Sequence, residues 1–188
     1  MRRLIFFLEE PSAEEMLSTI LPKILPEDVC PEYKVFEGKQ DLEKRLPTIL
    51  KAWRAPDCSF VIMRDQDSGN CLVIKGRLLT LLQATGRHDV PVLIRIACRE
   101  LESFYLGDLA AVEKGMGVRG LANRQNNKKY RDPDRLGHPS GELKRLTCGL
   151  YQKVSGSRSI APHLNLERNR SHSFKVLVEG IRKLVEAP

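Results

Sequence analysis

Two aspartates stand one residue apart at the end of an apolar run. Residues 59–71 read SFVIMRDQDSGNC, so Asp65 and Asp67 follow Phe60–Met63 almost at once. From an extended backbone, side chains two residues apart point the same way. The spacing therefore predicts two carboxylates on one face, repelling each other unless a cation lies between them. Hard divalent ions such as Mg²⁺ take oxygen ligands. The pair becomes a candidate metal site if other acids of the chain converge on it.

Whether they converge depends on the elements that carry them. Leu4–Leu8 (LIFFL) is short and wholly apolar, the pattern of a buried strand. Ser12 with Glu15 three residues on reads as a capping box, and Met16, Leu17, Ile20, Leu21, Ile24 and Leu25 recur at helical spacing, with Pro22 predicting a kink or early stop. Tyr33–Phe36 reads as a second strand and Gln40–Trp53 as a helix, despite Pro47. Phe60–Met63 is the third strand. Cys71–Leu82 follows as a helix, with Leu72, Leu78, Leu79 and Leu82 available for packing. Val90–Ala97 is the fourth strand and Leu101–Val112 a single helix. Such β-α alternation implies an α/β fold: a mostly parallel sheet of about four strands covered by helices. From Gly115 to Gly137 periodicity fails, and a long loop or lid is expected. Glu142–Leu150 reads as a short helix and Ser173–Val185 as an amphipathic one, with Phe174, Leu177, Ile181 and Leu184 on its apolar face. Residues 1–113 thus form the α/β core, and 114–188 a basic loop and helical extension packed on it as one domain.

Parallel α/β sheets bind ligands beyond the carboxyl ends of their strands. Three such ends carry acids: Glu9 and Glu10 after the first strand, Asp65 and Asp67 after the third, Glu100 and Glu102 after the fourth. On one rim they would bind one or two Mg²⁺ or Mn²⁺ ions, which polarise a phosphoryl oxygen and activate water. Each acid also has a plain structural reading. Glu9, Glu10 and Glu102 favour the helix dipoles that follow them, and Asp65 or Asp67 serves as a helix cap. That all three ends are acidic favours the site.

Composition narrows the partners. The chain of 188 residues has a net charge of +7, and the excess is uneven. From Lys114 to Lys175 lysine and arginine recur while acids are sparse. A basic half beside an acidic rim suits a polyanion bound through its phosphates. Lys153, Arg158, Arg168 and Arg170 lie among serines and glycine, and Ser171 precedes the last helix, whose first amides would receive an anion. Helix capping and a solvated basic surface are the plain alternatives. His88, His138, His163 and His172 have no metal spacing and read as surface residues; Trp53, Phe104 and Tyr105 read as packing. The five cysteines show no zinc spacing, and their odd number fits a reduced, cytoplasmic setting. No apolar run reaches the length of a membrane span, and Leu4–Leu8 is too short for the core of a signal peptide.

The residues also resemble a known family. A glutamate after the first strand and Asp-x-Asp after a later one are similar to the TOPRIM domain of topoisomerases, primases and overcoming-lysogenization-defect nucleases. More closely, FLEEPSAEEML, IMRDQDSGNC, RIACRELESFYLGDLAAV, YQKVSGSRSIAPHL and ERNRSHSFKVL resemble a bacterial TOPRIM-like family of unknown function. The resemblance implies a Rossmann-like TOPRIM fold and Mg²⁺- or Mn²⁺-dependent chemistry on nucleic-acid phosphodiesters. Glu9 matches the TOPRIM glutamate, a ligand or general acid/base; Asp65 and Asp67 match the metal-binding pair. Glu100 or Glu102 is expected as an added ligand, with Asp108 a further candidate. Glu10 stands where a glycine often follows the glutamate; its side chain either hinders a phosphate or adds a ligand. The resemblance further implies a mobile-element or phage-defence setting with an ATPase partner, and is compatible with a homo-oligomer. Two alternatives accompany the nuclease reading: a regulatory or assembly subunit with a vestigial metal site, and a phosphatase using Asp65 as nucleophile.

Overall fold

A computed structural model describes residues 1–87 and 90–186 of the chain; His88 lies outside them. The strands are β1 (Arg2–Leu8), β2 (Val29–Val35), β3 (Cys58–Asp65) and β4 (Val92–Ala97). They form one four-stranded sheet in the order β2-β1-β3-β4, and every pairing is parallel. Helices α1 (Pro11–Ile20), α2 (Lys39–Ala52) and α3 (Cys71–Gln83) connect the strands. The fold is α/β and Rossmann-like, as the alternation predicts.

Alternation along each strand divides the core in two. Leu4, Phe6 and Leu8 of β1 and Val61 and Met63 of β3 face Met16, Leu17 and Ile20 of α1. Ile5 and Phe7, with Phe60 and Ile62, face Leu42, Leu46 and Leu50 of α2 and Leu78 of α3. This period of two is what a strand buried on both sides requires. The remaining helices, α4 (Glu102–Leu106), α5 (Leu109–Met116), α6 (Pro139–Leu146), α7 (Lys153–Ile160) and α8 (His172–Glu186), extend the α1 side of the core. Phe104, Leu109, Leu143, Ile160, Phe174 and Ile181 are all buried there.

Several sequence expectations are corrected. Helix α1 starts at Pro11, with Glu10 as its N-cap rather than Ser12; proline at the first helical position already has a suitable φ and no amide to satisfy. Of the four leucines expected to pack from α3, Leu78 is buried but Leu72 and Leu79 are exposed. The predicted helix over 101–112 is two helices. Asp108 leaves the helical region, with φ of -144° and ψ of 76°, and caps α5 by accepting the Ala111 amide at 3.1 Å. A Cβ on Gly107 would lie 2.1 Å from Asn169 Oδ1, and buried Asn169 bonds the Phe104 carbonyl at 2.8 Å.

Residues 115–137 are also more ordered in structure than a lid. α5 runs to Met116, and short 3-10 turns follow at Ala122–Asn126, Lys128–Tyr130 and Pro133–Arg135. Gln125 anchors them, accepting the Leu109 amide at 2.6 Å and donating to the Leu106 and Tyr130 carbonyls. All five cysteines are free thiols. Among the described residues no helix is long and apolar enough to cross a membrane.

Candidate functional site

The strand order places the acids at a topological switch. From β1 the chain passes through α1 to β2 on one side, then through α2 to β3 on the other. At such a reversal the flanking connections diverge and leave a crevice beyond the carboxyl ends. Glu9 and Glu10 leave β1 there, and Asp65 ends β3 beside them.

Asp65 is the centre of the rim. It is 8 % exposed, on the face of β3 shared with Val61 and Met63, and its carboxylate accepts no hydrogen bond among the described residues. Burial holds this carboxyl well above its usual range. The negative charges of Glu10, Glu102 and Glu9 add to the effect, and Lys153 opposes it. Glu9, Glu10 and Glu102 are therefore each within electrostatic reach of Asp65, as is Lys153 of α7.

Each neighbour is held differently. Glu9 Oε2 accepts the Asp65 amide at 3.0 Å and lies 3.8 Å from Arg64 Nε. Burial raises its pKa, although the amide and the guanidinium oppose that. Glu10 accepts from the Ser12 hydroxyl and takes the Lys153 ammonium at 2.7 Å. Glu102 is fully buried. Its Oε1 accepts the Tyr151 phenol at 3.0 Å, while its Oε2 has no partner; burial raises its pKa too. For Lys153, burial works to lower the pKa, but the Glu10 hydrogen bond and the charges of Glu10, Glu102 and Asp65 hold it above the usual value.

Three expected members of the cluster are held by other partners, although the charge of Asp67 still reaches Glu9. β3 ends at Asp65, and Asp67 has a left-handed backbone with φ of 54°, so the alternation that would align the two aspartates no longer applies. Asp67 instead takes the Lys39 ammonium at 2.6 Å and lies 3.9 Å from Arg64 Nη2. Glu100 is bound at the start of α6, accepting the Ser140 amide at 2.8 Å. Asp108 caps α5 and accepts the Asn165 amide at 2.8 Å.

The expected phosphate contacts are largely engaged within the fold. Arg158 Nε donates to Glu15 at 2.9 Å. Arg170 donates to the Gln125 carbonyl at 2.7 Å and to Asn126 at 2.6 Å. Ser171 is fully buried. The start of α8 already holds an anion: Asp134 accepts from the Ser171 hydroxyl at 2.6 Å and the Ser173 amide at 2.7 Å. Arg168 is exposed. Lys153 is the one of the five that meets the acidic rim. Tyr151, which fixes Glu102, opens the YQKVSGSRSIAPHL stretch, but with 49 residues between the pair no spacing ties it to the acids.

Does a divalent cation fit? The donors are hard carboxylate oxygens, and the unpartnered Glu102 Oε2 and unbonded Asp65 carboxylate leave acceptor capacity in a dry, acidic place. In the present arrangement, however, no three His, Cys, Asp or Glu side chains among the described residues are grouped to hold a metal ion. A monovalent cation, the Lys153 ammonium, stands on Glu10. Metal binding at this rim requires Glu10 to exchange Lys153 for the ion.

No curated protein and no solved structure matches the chain. Residues 8–182 match the model of the family described as Domain of unknown function (DUF4276), and the chain belongs to that family.

Proposed function

We propose that the protein is a Mg²⁺- or Mn²⁺-dependent hydrolase of nucleic-acid phosphodiesters, with its site at the β1/β3 switch. The observation that carries this reading is Asp65. A buried carboxylate without a hydrogen-bond donor, within electrostatic reach of a second buried carboxylate with a free oxygen, is costly to maintain. The cost is explained if both serve as ligands. Asp65, Glu102 and Glu10 would hold the ion, which when bound polarises a phosphoryl oxygen and lowers the pKa of a water.

The chain's own groups supply the rest. Glu9 is fixed by the Asp65 amide, and burial raises its pKa, which favours proton uptake by this group. Tyr151 orients Glu102. Lys153, once released from Glu10, offers positive charge to the substrate phosphate. The TOPRIM-like spacing of Glu9 and Asp65 supports the same chemistry, as does the basic C-terminal half. A phosphatase route through Asp65 is disfavoured, because a carboxyl held toward its protonated form is a poor nucleophile.

Cleavage of plasmid, linear duplex and RNA with Mg²⁺ or Mn²⁺ tests the proposal. Asp65→Asn and Glu102→Gln should abolish cutting. Failure to cut any of the three, or undiminished cutting by Asp65→Asn, would overturn it. One observation favours a second reading, a non-catalytic subunit serving an ATPase partner: Lys153 already neutralises part of the cluster. On that reading neither metal changes the protein's stability.

A further inference from the structure

Beside the acidic rim lies a cavity of about 250 Å³ between α6 and the start of α7, lined by His138, Lys144, Tyr151, Gln152 and Lys153 together with Ser140 and Gly141. Its side chains are cationic or neutral, and no acid lines it. Two of its residues also belong to the rim. Lys153 reaches Glu10, and Tyr151 reaches Glu102. The cavity and the carboxylates therefore share a wall.

The free charge in it is Lys144. This lysine is exposed, and it has no ion-pair or side-chain hydrogen-bond partner among the described residues. It contrasts with Lys39, Arg158 and Arg170, each engaged by a neighbour. One turn before Lys144 on α6 stands Gly141, where a Cβ would lie 2.3 Å from His138 Cδ2. Only glycine lets the imidazole lie against α6 there. His138 Nδ1 is 3.8 Å from Glu100 Oε1, the carboxylate that holds the start of α6.

We infer that this cavity receives a backbone phosphate of a nucleic-acid strand, one flanking the phosphodiester presented to the acidic rim. The inference rests on the proposed phosphodiester chemistry and names where its substrate is gripped. Two lysines, one from α6 and one from α7, with polar donors in the same lining suit a phosphate. Because Lys153 borders both places, a strand in the cavity brings its next linkage to the carboxylates. It also gives Lys153 a second anion in competition with Glu10.

Binding can be measured without turnover. A labelled single-stranded DNA and an RNA of the same sequence are titrated with the full chain in EDTA, at several salt concentrations. Loss of one phosphate contact to a single strand reduces the slope of log K against log salt by about 0.7, equivalent to about fivefold weaker binding at 0.1 M salt relative to 1 M. Lys144→Ala should show this loss. Lys175→Ala, an exposed lysine in a separate groove with Glu179 and Arg182, should leave the slope unchanged. Equal slopes for Lys144→Ala and wild type would overturn the inference, as would absence of binding to either strand. Displacement of the strand by millimolar inorganic phosphate as effective as by unlabelled strand would assign the cavity to a free anion instead, which also overturns it. Since no metal is present, these outcomes are separate from failure of the metal chemistry, which cleavage and metal-linked stability report.

Discussion

Replacing Asp65 by Asn should stabilise the protein when no metal is present. Burial and three nearby acids hold the Asp65 carboxyl well above its usual range, so the folded state binds a proton that the unfolded state has released. The linked stability is fully present below the unfolded pKa of about 4 and is lost as pH rises through the raised folded value. Where one proton separates the states, the slope is about 1.4 kcal/mol per pH unit. A chain of this size shifts its Tm by about 2–4 °C per kcal/mol, giving about 3–6 °C per pH unit. Glu9 and Glu102 have raised values as well and steepen the same trend.

Asp65→Asn removes one of these groups. Its amide is uncharged at every pH and relieves the repulsion on Glu10 and Glu102. Thermal unfolding in chelator should therefore find the variant more stable than wild type near about pH 8. The gap should close as pH falls toward about 4. Glu142 does not blur the window, because Arg145 and Lys129 hold its carboxyl down to about 2, and the histidines are common to both proteins. Parallel curves, or a variant less stable throughout, would refute the reasoning that Asp65 is a destabilising buried charge kept for function.

Other perturbations follow from single contacts. Tyr151→Phe takes the phenol hydrogen bond from a fully buried Glu102 and should cost about 1–3 kcal/mol in denaturant unfolding. Asp134→Ala removes the anion at the start of α8; about 1–2 kcal/mol of stability should go, while metal response stays as in wild type. Leu78→Ala in the core under α3 should cost about 2–5 kcal/mol, whereas Leu72→Ser, at a side chain that is 75 % exposed, should stay within about 0.5 kcal/mol.

What the sequence revealed follows physical lines. β1, β3 and the amphipathic helices were legible because burial on a sheet or helix face imposes a period. Helix α7 was not. Its residues, KVSGSRSI, favour turns and caps by propensity, and tertiary packing makes the helix: Gly156 lies against the Tyr151 ring, which a Cβ would meet at 2.4 Å. The acidic rim was legible in outline, since acids at parallel strand ends share an edge. Its membership was not. The Asp65/Asp67 alignment assumed that the strand continues, and the left-handed turn at Asp67 sends that side chain to Lys39 instead. Glu100 and Glu102 were interchangeable by pattern. Only the start of α4 and the position of α6 decide that one is tied to an amide while the other turns inward.

The central claim is that Asp65 and Glu102 form a cation site now shared with Lys153. Thermal unfolding of wild type, Asp65→Asn and Glu102→Gln against increasing Mn²⁺ tests it most directly, because a ligand that binds only the folded state raises Tm by mass action. The account predicts that wild-type stability rises with the logarithm of Mn²⁺ above Kd, by about 2.7 kcal/mol at a hundredfold excess, and that neither variant responds. A flat wild-type curve, or a rise that survives both substitutions, would contradict it.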